Sequence, residues 1–275
     1  MGIESFQYAG KRVLVVGGAS GMGAAVARLC AGLGADVAVM DVAEVDYPVE
    51  QSITVDLRDR ASVDAAVAAL TATAPVDVIF ACAGVADGTP GLMLINFIAQ
   101  RHLIESMLDG GQLRAGGAVV MISSVAGLPW QQNLAQVMDF LDTTDWDGAA
   151  AWVENHEGTD NYGFSKQAVN GYVARQAFPF LERGVRINAV LPGPTDTPLA
   201  RANADVWLAF GQDYREAAGV ETLVPEQVAN VMAFLGSDAS AGVNGVSLLV
   251  DQGQIGAGLT DAYEAPMIKA MLGVS

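Results

Sequence analysis

Short runs of β-branched and other apolar residues alternate along this chain with longer stretches of helical spacing. Residues 13–16, 35–40, 53–55, 76–81, 118–122, 185–191 and 246–250 read as buried strands, each nearly continuous in apolar residues and bounded by glycine, proline or polar positions. The Ala-rich stretch that reaches Leu33, and residues 61–70, 91–107 and 225–235, read as the helices between them. Strands and helices in this alternation predict an α/β fold, a Rossmann-type doubly wound parallel sheet in a single domain over residues 1–275. Ligands of such a sheet bind outside the carboxyl ends of its strands.

Two regions depart from the alternation. Between 129 and 161, Leu134, Val137, Met138 and Leu141 recur at helical spacing with Asp139 and Asp142 off that face, which predicts an amphipathic helix over 131–141. A second short helix over 148–155 is expected to bury Trp152 and Val153. This segment suits a wall over a substrate, a surface that alters subunit packing, or a cover for its own apolar patch. Residues 199–214 carry Trp207, Leu208 and Phe210, as a mobile lid over an apolar pocket or an interface would. The lid is placed at about 194–224, and the tail beyond Ile255 is expected against a neighbouring subunit.

Composition narrows the function classes. Hydrophobic residues make up 52% and charged residues 16%, which favours a buried sheet and a homo-oligomer, dimer or tetramer, over a solvated monomer. A formal charge of -17 repels polyanions, so nucleic acid, anionic membranes and acidic carrier proteins are excluded as partners. Cys30 and Cys82 sit in apolar runs, and with His102 and His156 they form no metal-site spacing, so no metal is expected. Residues 1–6 lack the build of a signal peptide and no apolar run is long enough to span a membrane, which predicts a soluble, cytoplasmic protein.

The candidate chemistry falls at the predicted strand ends. After the first strand, Gly17-Gly18-Ala19-Ser20-Gly21-Met22-Gly23 opens a helix, so the backbone can approach a pyrophosphate whose charge is met by the helix N-terminus. The second strand ends in Asp41, placed to accept bonds from an adenosine ribose and to repel a 2′-phosphate. Its neighbours Ser20 and Val42 are neutral, so NAD is expected rather than NADP. Asp56-Leu57 ends the third strand and Cys82-Ala83-Gly84 the fourth. Asn96 stands among Met93, Leu94, Ile95, Phe97 and Ile98, where a buried amide bonds backbone or holds water. Ser123-Ser124 ends the fifth strand. Tyr162 and Lys166, four apart, share one face of a helix, where an ammonium can stabilise a phenolate.

Taken in order, the glycine pattern, Asp41, Cys82-Ala83-Gly84, Asn96, Ser124, Tyr162-x-x-x-Lys166 and Pro192-Gly193 resemble the short-chain dehydrogenase/reductase family from Arg12 to about Ile255. The resemblance implies an NAD-dependent oxidoreductase interconverting a secondary alcohol and a ketone. Tyr162 would be the general acid/base, Lys166 would lower its pKa and hold the nicotinamide ribose, Ser124 would orient the substrate oxygen, and Asn96 would support a proton relay. Ser123 is expected to be structural. It further implies cofactor contacts at Gly17, Ser20, Gly21, Met22, Gly23, Asp41, Asp56, Leu57, Ala83, Gly84, Tyr162, Lys166, Pro192, Gly193, Thr195 and Thr197, with Thr197 bonding the carboxamide. Two residues depart from the family pattern, Val16 for a common Thr and Cys82 for a common Asn, each removing a polar side chain that usually braces a loop. The long 129–161 segment, Cys-Ala-Gly and Ile-Ser-Ser-Val are similar to a bacterial subgroup related to 3α-hydroxysteroid dehydrogenase/carbonyl reductase, which implies a bulky apolar alcohol or ketone. A non-catalytic NAD(H)-binding sensor or scaffold is the alternative of another class. An acyl-carrier-protein reductase is opposed by Asp41 and by the charge.

Overall fold

The computed structural model describes residues 2–72 and 74–274; Met1, Thr73 and Ser275 lie outside the described residues. Its strands are β1 (Arg12–Val16), β2 (Asp36–Asp41), β3 (Gln51–Thr54), β4 (Val76–Ala81), β5 (Leu113–Ile122), β6 (Arg186–Pro192) and β7 (Ser247–Val250). They form a sheet in the order β3-β2-β1-β4-β5-β6-β7, with every pairing parallel. The order reverses direction at β1, which opens a crevice between the ends of β1 and β4. β5 begins earlier than the apolar run at 118–122, because Gly116 and Gly117 interrupt the hydrophobic pattern without ending the strand. The register shifts between Val76 and Val78 at the same level.

Helices cover both faces. On one, α1 (Gly21–Gly32) and α10 (Pro225–Gly236) pack over Val13, Val15, Val39 and Phe80. On the other, α2 (Arg60–Thr71), α3 (Ala99–Asp109) and α6 (Tyr162–Glu182) pack over Leu14, Ile79, Val119 and Ile187. The residues before α3 form a wide π turn, Leu94–Ile98, where the sequence predicts a continuous helix over 91–107. Gln100 donates to Ile95 O (2.8 Å) and Ala83 O (2.9 Å), so its amide ties the π turn to the chain that leaves β4.

The 129–161 segment holds α4 (Leu134–Leu141) and α5 (Trp146–Asn155) after a 3-10 turn at Val125–Gln131 that contains Pro129. Asp145 caps α5 by accepting from Gly148 N (2.7 Å), which starts the helix two residues before the sequence suggests. The burial expectation needs correcting accordingly: Trp146 and Ala149 are the buried residues of α5, while Trp152 and Val153 are half-buried. Phe140 of α4 is fully buried, 5.4 Å from the Phe97 ring, 5.0 Å from Trp152 and 5.6 Å from Phe164. At Gly171 of α6 a Cβ would lie 2.5 Å from Val137 Cγ1, so the glycine is what lets α4 seat this closely. Of the three roles open from sequence, the contacts support the cover: the two helices extend the core outward.

Replacing Trp146 with alanine is therefore expected to cost about 3–5 kcal/mol of folding stability and to leave kcat/KM unchanged. Denaturant unfolding beside steady-state rates checks this; a selective rise in KM would put α5 in the substrate pocket instead.

Toward the C-terminus lie α7 (Pro198–Arg201), α8 (Ala204–Trp207), α9 (Gln212–Ala218), α11 (Gln254–Leu259) and α12 (Pro266–Leu272). The sequence reading places the tail against a neighbouring subunit. Within the chain, Ile255, Ile268, Met271 and Leu272 of this tail pack with Val125, Leu128 and Phe210, while Leu259, Met267 and Val274 stay exposed. Among the described residues no helix is long and apolar enough to cross a membrane.

Candidate active site

Two adjoining cavities open at the carboxyl edge of the sheet. The first, of about 400 Å³, runs from the glycine turn past Asp41, Asp56-Leu57-Arg58 and Cys82-Ala83-Gly84-Val85 to Thr197-Pro198-Leu199. The turn needs its glycines. Gly17 sits at φ +80, where a Cβ would stand 2.4 Å from the Ala83 backbone, and a Cβ on Gly23 would stand 2.0 Å from Gly17 O. Ser20 at the N-cap of α1 makes no side-chain cap, and the first turn carries no acidic residue, so this end can receive an anion. Asp41 accepts from Ala19 N (2.8 Å) and Ala43 N (3.0 Å), one bond to each oxygen, which fixes the carboxylate and leaves a further lone pair on each. The cradle thus fits a dinucleotide.

Backbone bonds stand where the two departures removed polar side chains: Cys82 N donates to Val16 O (2.8 Å) and Gly17 N to Met40 O (2.7 Å). Arg58 is a lining residue that the sequence reading missed. It grips the Asp56 carboxylate with Nε (2.9 Å) and Nη2 (2.7 Å), and this bidentate contact holds Asp56 down at about 2. The two-residue spacing of the pair was the available signal.

The second cavity, of about 270 Å³, is lined at its base by Ser123, Ser124, Tyr162, Lys166 and Pro192-Gly193-Pro194-Thr195. Its upper wall is apolar: Val125, Leu199, Val206, Trp207, Phe210 and Met271. Met22, Cys82, Gly84, Thr197 and Leu199 line both cavities, so the two are one continuous site. Every residue expected at the cofactor lines one cavity or the other. Nothing from 129–161 lines either cavity.

Tyr162 and Lys166 are held from several sides. Asn161 caps α6 through Phe164 N (2.8 Å), and Tyr162 N donates to Asp87 Oδ1 (2.6 Å). Lys166 is buried; its Nζ donates to Ile122 O (2.9 Å) and lies 5.3 Å from the Tyr162 ring centroid. Ser123 Oγ donates to Lys166 O (3.0 Å), the bracing role read for it. Ser124 Oγ accepts from Ala126 N (3.2 Å) and stands close enough to the Tyr162 hydroxyl to favour its ionised form.

Asn96 is fully buried and lines neither cavity. Its Oδ1 accepts from Val85 N (2.8 Å), and its Nδ2 donates to Val85 O (3.0 Å) and Ser165 Oγ (3.2 Å). Of the two options open for this amide, the side chain takes the first, bonding backbone, and so fixes the chain that leaves β4.

Burial dominates the electrostatics of the pair. Burial pushes the Tyr162 phenol up to about 12; the Ser124 hydrogen bond works against this and Asp87 adds to it. Burial also lowers Lys166 to about 8, with Cys82 acting in the other direction. Desolvation leads for both groups and holds each toward its neutral form.

Residues 11–136 match the family model for short chain dehydrogenases, and residues 143–254 match one described as enoyl-(acyl carrier protein) reductase. The stretch between the two matches falls in α4 and the turn after it. The chain is 32% identical to cis-4-hydroxycyclohexanecarboxylate dehydrogenase of Sinomonas cyclohexanicum, over 90% of this chain and 97% of that one. It is 27% identical to 3-alpha-hydroxysteroid dehydrogenase/carbonyl reductase of Comamonas testosteroni, over 88% and 95%. Among solved structures it resembles the 3-alpha-hydroxysteroid dehydrogenase from Pseudomonas sp. B-0831 complexed with NADH, with a TM-score of 0.73, 26% identity, and 92% and 100% coverage.

Proposed function

This chain belongs to the short-chain dehydrogenase/reductase family, and from that footing we propose that it is an NAD-dependent oxidoreductase interconverting an apolar secondary alcohol and its ketone. The observation that carries the reading is the meeting of Tyr162, Ser124 and Lys166 at the base of an apolar cavity continuous with the glycine-turn groove. Nicotinamide, when bound, supplies the acceptor or donor of hydride. Tyr162 gives or takes the proton at the substrate oxygen, and Ser124 orients that oxygen through its hydroxyl. Lys166 is held at the nicotinamide-ribose end of the site, and Asn96 supports the relay by fixing Val85. The segment at about 194–224 is the lid, and 129–161 is an insertion that stiffens the frame around α6.

A phenol at about 12 is fully protonated near neutral pH, which suits it to protonate a developing alkoxide. The reverse step asks the same group to act as a phenolate, so the two directions should differ in their pH dependence. Self-association belongs to the reading, supported by Phe178 and Leu181 of α6 and Leu248 and Leu249 of the edge strand β7, all exposed.

The test is oxidation of a panel of secondary alcohols with NAD and reduction of the matching ketones with NADH. Tight NADH binding without turnover of any of them would favour a non-catalytic sensor. NAD preference is assigned to Asp41, because the one arginine among the described residues lining the groove, Arg58, is committed to Asp56. Asp41→Asn keeps an acceptor for Ala19 N but removes the charge. It is expected to raise the NADP-to-NAD ratio of kcat/KM about tenfold or more. An unchanged ratio would place the discrimination elsewhere.

A further inference from the structure

The second cavity has an unusual third wall. Its base comes from the ends of β5 and β6 and the start of α6, and its upper side from α7 and α8, but its outer side is closed by Met271 of α12. The family matches end at residue 254, so this wall lies beyond the part of the chain that the family models describe. α12 is fixed by close packing. A Cβ on Gly258 of α11 would fall 2.6 Å from Ile268 Cδ1, Gln132 Nε2 donates to Met271 O (3.4 Å), and Lys269 pairs with Asp261 (2.7 Å). The lid is tied to the same unit. Phe210 shares the cluster of Val125, Ile255, Ile268 and Met271, Tyr214 OH donates to Gln252 O (2.9 Å), and the Tyr214 and Tyr263 rings meet edge to face at 5.3 Å.

Two properties of this space limit what it can take. Small-molecule sites commonly run from about 300 to 1,000 Å³, and this one, at about 270 Å³, also includes Gly193, Thr195 and Thr197, the positions assigned to nicotinamide. The space next to Tyr162 is that of about one ring, and the Trp207 ring, 4.6 Å from that of Tyr162, forms one side of it, so a larger molecule has to pass Met271 toward the mouth. The charge inventory is as narrow. Among the described residues lining the cavity Lys166 is the only cation, and it serves Ile122 O. The nearby Arg201 is spent on Asp196, and Arg215 donates to Leu208 O and Phe210 O. A carboxylate on the substrate would enter an apolar wall with no partner.

We propose that the substrate is a neutral alcohol or ketone carrying a single apolar ring, and that Met271 is the residue that sets the size limit. This rests on the dehydrogenase reading above. It separates the chain from both named relatives, one acting on a ring carboxylate and the other on a steroid.

The experiment compares kcat/KM with NAD for cyclohexanol, cis-4-hydroxycyclohexanecarboxylate and a 3α-hydroxysteroid, in the wild type and in Met271→Ala. In the wild type cyclohexanol is expected to exceed each of the others by about tenfold or more. Met271→Ala is expected to shift the steroid-to-cyclohexanol ratio of kcat/KM about tenfold toward the steroid, mainly through a lower KM for the steroid. Wild-type preference for the steroid or the carboxylate overturns the proposal, as does a ratio that Met271→Ala leaves unmoved. Should no alcohol be oxidised, the dehydrogenase reading fails on its own. The size limit is then read from quenching of tryptophan emission by cyclohexanone and by a 3-ketosteroid. Quenching by cyclohexanone alone in the wild type, extended to the steroid in Met271→Ala, supports the limit, and equal quenching in both proteins overturns it.

Discussion

Tyr162→Phe is expected to lower kcat by about 10²–10⁴-fold in both directions while nicotinamide-nucleotide affinity stays within about twofold. The substitution removes one hydroxyl and keeps the ring, so the contact with Trp207 and the seat above Lys166 persist. Only the proton path is cut. The pH dependence supplies a second, independent readout. The phenol lies at about 12, so at pH 6–9 the fraction present as phenolate rises about tenfold per pH unit, and alcohol oxidation by the wild type should rise with pH. Residual oxidation in the variant should lose that slope. A variant that keeps both its rate and its pH slope would remove Tyr162 from the chemistry.

Lys166→Met is expected to do two opposite things. Activity should fall by about 10²-fold or more, because the charge beside the phenol is gone. Thermal stability at pH 7 should rise. The lysine is lowered from an ordinary 10.5 to about 8 by burial, so folding carries an ammonium into a place that disfavours it. At about 1.4 kcal/mol per pKa unit, this outweighs the roughly 1 kcal/mol of the bond to Ile122 O that the variant forgoes. The sign with pH follows from which state holds the proton. Between about 8 and 10.5 the unfolded chain keeps it and the folded chain has released it, so wild-type stability from this group rises with pH across that window. The methionine variant has no such term. Its advantage should be full below pH 8 and shrink toward pH 10.5, as melting curves of the two proteins at pH 7, 9 and 10.5 would record. A variant that melts below the wild type at pH 7 would show that the ammonium is well accommodated.

What the sequence disclosed and what it hid divide on physical lines. The buried parallel strands were legible because both faces are apolar, so even a short run such as 76–81 has the bounds of β4. The glycine turn and Asp41 were legible because backbone approach and charge placement leave local marks. The start of β5 was not, since Gly116 and Gly117 look like a turn while the strand runs through them. The start of α5 hid in Asp145, a cap that reads as one more acidic residue in an acidic chain. Met271 was beyond any local pattern: it joins one cluster with Val125 and Phe210, both distant in sequence, and only packing reveals that. The Tyr162 and Lys166 spacing disclosed that the two groups share a face, while their burial, which drives both pKa shifts, leaves no mark in spacing.

The bonds that fix the reacting groups have a consequence for how the protein meets its solvent. Asn96 with Val85, Gln100 with Ala83, Ser123 with Lys166 O and Asn170 with Gly127 O are neutral side chains bonded to backbone, mostly out of water. Ion pairs such as Arg175–Asp142, Arg183–Asp109 and Arg201–Asp196 lie at exposed positions. With a screening length near 10 Å at 0.1 M ionic strength, brine weakens the outer pairs and relieves the self-repulsion of a chain at -17, yet finds few charges to screen around Tyr162. The acidic exterior and the amide-pinned interior therefore answer to different solutes. Concentrated salt should steady the fold as a whole while the proton chemistry at its centre goes on unaltered.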